Sequence, residues 1–302
     1  MSNKNLEILS DKFQGKIFFN YSIQKLNWFN IGGKTKVFFK PDNLKDLSIF
    51  LKEYGPKKKL LVLGAGSNIL LNDNIFEGAV LKLGKNFSNI SLLPNNIIVA
   101  GAASTDKKLS DFAYSNGVGG FEFLSCIPGT VGGGININSG CYGKEFKDIL
   151  ISIQVMGRDG RIRTIPASDI KYNYRSSNLS KNYIYLSASF KGTKKDKDKI
   201  KIEMEFLKKK KDTTQPSRIK TGGSTFKNPI NQTSEKVWTL IKKSVALDKT
   251  FGDAAISEKH SNFLINKGNA TSDDMRKLIQ YIKTEVKLKT GISLETEIDI
   301  IE

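Results

Sequence analysis

Histidine is almost missing from this chain of 302 residues: His260 stands alone. Cysteine occurs twice, with fourteen residues between Cys126 and Cys141. No third or fourth soft ligand lies near them, so no zinc-site spacing exists and no metal site is predicted. Two cysteines in so long a chain also argue against an oxidising compartment. A Ser-His-Asp hydrolase would have to use His260, and no Gly-x-Ser-x-Gly elbow is present. No run approaches the roughly 18 to 20 uninterrupted apolar residues of a membrane span. The opening MSNKNLEILSDKFQGK has neither an apolar stretch nor a small-residue cleavage site, so no secretory signal is predicted. These absences lead to the expectation of a cytoplasmic protein without membrane insertion.

Arginine is scarce as well. Of 48 basic residues only six are arginine (158, 161, 163, 175, 218 and 276), against 30 acidic residues and a net charge of +18. A nucleic-acid reader usually spends arginine, whose guanidinium fork matches guanine and phosphate. An anionic small substrate suits the lysine surplus equally well, and no nucleic-acid partner is predicted. What is present is ordinary for a globular protein, with 39% apolar and 26% charged residues. The length allows two or three compact units.

The stretch KLLVLGAGSNILL (59–71) predicts a strand, a tight turn and more buried chain. It is not a dinucleotide fingerprint. The third glycine of Gly-x-Gly-x-x-Gly would fall on Ile69, and no acidic residue stands at position 84. AVLKL (79–83) and IIVAG (97–101) predict strands. Residues 105–116 predict a helix with Leu109, Phe112 and Ala113 on one face and Gly117 closing it. The segment 150–165 predicts a hairpin turning at Asp159-Gly160, and 183–190 another strand. The lysine-rich 191–212 is ambiguous: Ile200, Ile202, Met204 and Phe206 alternate as in a strand, whereas Ile200, Met204 and Leu207 share a helix face. It is taken as a link between domains. Val237, Leu240 and Ile241 mark a short helix. Thr271 to Asp274 form a capping box for a longer one that Gly291 closes, and ISLETEIDIIE predicts a terminal strand.

Nine of the 26 glycines fall between Gly117 and Gly143. Bare N–H groups in such stretches form anion-binding nests. Two glycine loops, 64–68 and 129–134, are therefore predicted to embrace one pyrophosphate, with turns between strands as the bland alternative. Ser224 in TGGSTFKNP reads alone as a surface turn serine. Glu297 reads as a solvent-facing strand residue and His260 as a packing residue. Arg175 in YNYRSS suggests a carboxylate or phosphate partner.

Taken in order, NWFNIGG, LGAGSNILL, IPGTVGG with NSGCYG, YNYRSS, TGGSTFKNP, SEKHSNFLIN and LETEI resemble the UDP-N-acetylenolpyruvoylglucosamine reductase family, in its smaller subtype. The resemblance spans about Asn27 to Ile301. It implies an α+β protein: a two-lobed FAD-binding fold of the vanillyl-alcohol oxidase type plus a C-terminal α+β substrate domain. The domains expected are 1–82 as flavin lobe one, completed by the terminal strand 298–302, then 83–207 as lobe two and 208–297 as the UDP-sugar domain.

By the same resemblance, Gly64, Ala65, Gly66, Ser67 and Asn68, with Pro128, Gly129, Thr130, Gly132 and Gly133, contact the FAD pyrophosphate. Asn138, Gly140 and Gly143 continue the flavin site. The expected lobes hold no histidine, so attachment through histidine is excluded and FAD is expected to bind noncovalently. The implied reaction takes hydride from NADPH and reduces UDP-N-acetylglucosamine enolpyruvate to UDP-N-acetylmuramate, a step in peptidoglycan precursor synthesis. Arg175 and a protonated Glu297 stabilise the charge that hydride addition creates, and Ser224 donates a proton to the C2 carbon. Tyr174, Lys227 and Asn228 contact substrate. The protein is expected to be a monomer. Another FAD oxidoreductase of the same fold is the alternative.

Three positions depart from the family pattern: Trp28 where threonine is common, Cys126 where glycine is frequent, and lysine in place of arginine before Gln215-Pro216.

Overall fold

The computed structural model describes residues 4–302, which leaves the first three residues of the expected 1–82 lobe outside it. The chain groups into two compact units. The first takes the described residues up to 20, with 36–65 and 77–210; the second takes 21–35, 66–76 and 211–302.

The first unit has two hydrophobic cores. One lies under a four-stranded sheet ordered Lys16–Ser22, Lys34–Lys40, Phe76–Leu81, Leu60–Val62. The last two strands run parallel, Leu60 opposite Ala79. Helix Leu44–Tyr54 covers this sheet because Leu47, Phe50, Leu51 and Tyr54 recur at helical spacing and are buried. Asn43 starts it by accepting the Asp46 N–H at 2.8 Å. Phe50 stacks on Phe39 with ring centroids 4.3 Å apart.

The second core of this unit lies on an antiparallel sheet ordered Ile162–Pro166, Leu150–Met156, Ile184–Lys191, Ile97–Gly101, Ile90–Leu93. Alternation puts Ile153, Val155, Ala188, Phe190, Ile98 and Ala100 on one buried face. Full burial of a side chain like Phe190 contributes about 1.5–3 kcal/mol. Helix Asp106–Ser115 packs there through Leu109 and Ala113. Thr105 accepts the Lys108 N–H at 3.2 Å, and Gly117, at φ +66°, leads the chain out. The predicted hairpin forms, Met156 opposite Ile162.

Two expectations change here. The stretch 129–134 is not simply a loop, since Val131–Asn136 is a short helix. Its glycines serve packing: a Cβ on Gly134 would lie 2.2 Å from Phe146 Cε2. The ambiguous 191–212 resolves into a short strand, Thr193–Lys194, and helix Lys197–Thr214. Ile200 and Leu207 are buried, whereas the strand-pattern residues Ile202 and Phe206 are 66% and 63% exposed.

The second unit is a four-stranded antiparallel sheet ordered Thr221–Ser224, His260–Asn266, Ala254–Ser257, Thr250–Phe251. Helices Val237–Ser244 and Ser272–Thr290 share a core with it through Leu240, Ile241, Met275, Leu278, Ile282 and Val286, joined by Phe29, Ile31 and Leu70. The capping box forms as predicted between Thr271 and Asp274, and Gly291 closes the helix at φ +74°. The predicted terminal strand shortens to Asp299–Ile301, which runs parallel to Ile69–Leu71. Glu297 therefore precedes the strand instead of lying in it. No described helix is long and apolar enough to cross a membrane.

Candidate active site

Within the first unit, two glycine segments meet. Gly64 leaves strand Leu60–Val62, at the C-terminal edge of its parallel pair, the edge where α/β sheets commonly bind ligands. A Cβ on Gly64 would lie 2.5 Å from Thr130 Oγ1. Any side chain at 64 would therefore fill the space where the segments face each other. The Gly64 carbonyl accepts a hydrogen bond from Lys82 Nζ. Ala65 follows, partly buried.

The second segment is laced to 102–106 by backbone bonds: Val131 N–H to the Ser104 carbonyl at 2.9 Å, Gly132 N–H to Ala102 at 3.0 Å, and Asp106 N–H to Gly129 at 3.2 Å. Pro128 and Gly133 are exposed at its two ends. Behind it the Asp106 carboxylate is fully buried, with no hydrogen-bond partner among the described residues. Burial pushes its pKa well above the usual carboxylate range. A Cβ on Gly129 would come within 2.6 Å of Asp106 Oδ2.

Arg175 is brought to the third predicted segment, 138–143. It sits at the tip of a small hairpin, Asn173 opposite Ser176, with φ +55°. Its guanidinium donates to the carbonyls of Gly140 at 2.7 Å and Asn138 at 3.3 Å. Glu145 Oε1 lies 3.6 Å away, and the Tyr174 ring centroid is 5.1 Å from the guanidinium carbon. The Asn138 amide is already engaged, donating to Glu145 Oε2 at 2.9 Å and accepting from Lys147 N–H at 3.1 Å. Gly140 pairs with Glu145 in a hairpin whose tip, Tyr142-Gly143, has φ +52° and +84°, as a type I′ turn requires.

The second unit assembles the remaining predicted residues. Gly66 adopts φ +70° and accepts the Trp28 N–H at 2.9 Å. A Cβ there would lie 2.2 Å from the Leu26 carbonyl. Ser67 and Asn68 follow, and the Asn68 amide donates to the Glu297 carbonyl at 3.0 Å. Ser224 does not occupy a surface turn: it is the half-buried last residue of a strand, opposite Phe263. The next residue, Thr225, accepts the Glu297 N–H at 2.8 Å. Ser224 and Glu297 are thus carried on adjoining segments. Lys227 Nζ lies 3.6 Å from Glu295 Oε2. The Asn228 side chain accepts the Val237 N–H at 3.0 Å, so part of it serves the next helix. His260 fits a packing residue, its Nδ1 accepting the Asn262 N–H at 3.2 Å and its ring edge-on to Phe263. Burial lowers its pKa.

Sequence reasoning missed Lys82, Asp106, Glu145 and Asn262. Asn262 clamps the segment after Ser224, bonding both the N–H and the carbonyl of Phe226 at 3.0 and 2.9 Å. Its only signal was its place inside SEKHSNFLIN. A cavity of about 760 Å³ in the first unit, lined by Asp42, Asp46, Asn86, Asn89 and Gln154 among others, contains none of the predicted site residues.

At Gly64 no side chain can stand over this edge, because a Cβ there would meet Thr130 Oγ1, so the backbone is left bare, as close approach of a dinucleotide requires. Comparison with known proteins agrees. Residues 35–166 match the family model described as an FAD binding domain, and 215–301 match that of the UDP-N-acetylenolpyruvoylglucosamine reductase C-terminal domain. Fold and family models define an FAD-binding oxidoreductase of α+β class, with an FAD binding domain followed by the reductase C-terminal domain. The chain is 59% identical over 302 residues to the UDP-N-acetylenolpyruvoylglucosamine reductase of Pelagibacter ubique, covering 100% of both chains. It is 42% identical over 279 residues to that of Rickettsia conorii, covering 92% of this chain and 93% of that one. The crystal structure of UDP-N-acetylenolpyruvylglucosamine reductase (MurB) from Thermus caldophilus superimposes with a TM-score of 0.81 at 26% identity, covering 96% and 99%. The chain belongs to the UDP-N-acetylenolpyruvoylglucosamine reductase family.

Proposed function

We propose that this protein catalyses the NADPH-dependent, FAD-mediated reduction of UDP-N-acetylglucosamine enolpyruvate to UDP-N-acetylmuramate, a step of peptidoglycan precursor synthesis. The observation that carries this reading is the full-length similarity to reductases of that name, which spans both the flavin and the C-terminal domain. Bound FAD supplies hydride transfer. Gly64, Ala65, Gly66, Ser67 and Asn68, with Pro128, Gly129, Thr130, Gly132 and Gly133, hold its pyrophosphate, and Asn138, Gly140 and Gly143 line the rest. The close approach of Gly64 to Thr130 supports this assignment.

Hydride addition to the enolpyruvyl group builds negative charge on C2 and its carboxylate, and pre-placed donors lower that barrier. Arg175 supplies a fixed positive charge; two carbonyl bonds and the Glu145 carboxylate hold its guanidinium in one orientation. Glu297 supplies a carboxylic acid donor, and Ser224 delivers the proton to C2 from its hydroxyl. Its support is its position at a strand end, one residue before the carbonyl that Glu297 N–H engages. A serine is a weak acid, so the step requires a strongly basic carbanion and a site closed to water. Tyr174, Lys227 and Asn228 contact the substrate. Flavin lobes 1–82 with 298–302 and 83–207, and a UDP-sugar domain 208–297, are the division of labour proposed, in a cytoplasmic monomer.

The test is direct. Purified protein should show absorbance bands near about 370 and 450 nm. It should turn over NADPH catalytically, beyond one equivalent per flavin, only when the enolpyruvyl UDP-sugar is supplied. Colour without UDP-sugar turnover would assign it to another flavin reaction.

A further inference from the structure

Lys82 is one of the residues near this site that the sequence did not single out. It follows strand Phe76–Leu81, whose parallel partner leads into Gly64, and its own N–H donates to Phe39 at 3.0 Å. Both strands therefore deliver their C-terminal ends to one edge, with the glycine turn and the lysine side by side. The side chain is partly buried and its ammonium donates to the Gly64 carbonyl. An ammonium has three N–H donors; one is used. Among the described residues it forms no ion pair, and the charged neighbour that bears on it is another lysine, Lys40. Burial and that like charge both lower its pKa, so the protein pays for a cation here and provides no anion.

We propose that Lys82 is a cofactor-binding residue: its ammonium pairs with the diphosphate of bound FAD while anchoring the Gly64 carbonyl. The inference rests on the FAD reading above. The two negative charges of the diphosphate supply what the site lacks, and Gly64, which Lys82 holds, is the point where the glycine segments meet. Backbone N–H groups alone would cradle the diphosphate without neutralising it; Lys82 adds the charge.

The experiment uses the full-length chain stripped of flavin, titrated with FAD and with riboflavin, which lacks the diphosphate, across a salt series. Lys82→Met should weaken FAD by about 10- to 100-fold, the range for a hydrogen bond to a charged group. It should also flatten the salt dependence of FAD binding, and leave riboflavin affinity unchanged. Lys82→Arg should retain most of the FAD affinity and its salt slope. Equal losses for FAD and riboflavin, or an unchanged salt slope in Lys82→Met, would reduce Lys82 to a loop anchor and overturn the proposal. Wild-type protein that binds neither flavin would instead overturn the FAD reading itself.

Discussion

The side-chain amide of Asn68 donates to the backbone carbonyl of Glu297 at 3.0 Å, across 229 positions of sequence. The Asn68 carbonyl accepts the Asp299 N–H at 3.0 Å, so one residue of the glycine turn fixes the chain on both sides of Ile298. Glu297 is therefore positioned by the same turn that is proposed to hold FAD. Asn68→Ala should lower stability by about 1 kcal/mol, the usual net worth of such a bond. It should lower kcat about tenfold while leaving the KM for NADPH nearly unchanged. Thermal melts and steady-state kinetics on one preparation check both; a kcat equal to wild type would detach Asn68 from the site.

Gly64 has no room for a side chain. Gly64→Ala places a methyl 2.5 Å from Thr130 Oγ1, so the Thr130 hydroxyl must turn away or the two glycine segments must part. The expected product is folded protein that purifies with little flavin. Adding Thr130→Gly removes the obstructing atom and should restore part of the 450 nm absorbance (about that wavelength for flavins).

Asp106 is expected to make stability depend on pH. Its carboxyl is buried without a hydrogen-bond partner among the described residues, and burial raises its pKa. A raised acid pKa means that the folded state holds its proton longer than the unfolded state does. That contribution is fully present below the unfolded value of about 3.9 and is lost as pH rises through the folded pKa. Asp106→Asn has no proton to lose. The Tm difference, variant minus wild type, should therefore grow as pH rises above about 4. A difference constant with pH would mean that the carboxyl is partnered.

Arg175 holds two carbonyls at once, those of Gly140 and Asn138. A lysine keeps the charge but not the planar fork. Arg175→Lys should bind FAD nearly as wild type and slow turnover with the UDP-sugar about 100-fold, the scale of losing one pre-placed donor. Equal loss of flavin and of turnover would make Arg175 structural.

Much of this was legible in the sequence, for local reasons. The capping box at Thr271 and Asp274, the Asp159-Gly160 turn and the alternation through Ile153 and Val155 each encode structure within a few residues. What stayed hidden depends on distant neighbours. Three consecutive glycines disfavour a helix at 131–136, yet a Cβ at 134 would strike the Phe146 ring and one at 132 would crowd Ala102, and packing overrides propensity. Residues 225–227 draw the backbone of 295–297 out of the predicted terminal strand. Lys82 was one of 42 lysines, and nothing local marked the one that reaches Gly64. The motif that holds Ser224 was visible, but not the strand that half-buries it.

Ser224 is the residue proposed to give the proton to C2. Anaerobic stopped-flow of Ser224→Ala, following the flavin band separately in its two half-reactions, tests it most directly. Bleaching by NADPH should proceed at a near-normal rate, because that half-reaction needs no serine hydroxyl. Reoxidation by the enolpyruvyl UDP-sugar should slow by about 10²- to 10⁴-fold, the contribution of one well-placed acid. Slowed bleaching with intact reoxidation would contradict the account and make Ser224 a nicotinamide contact.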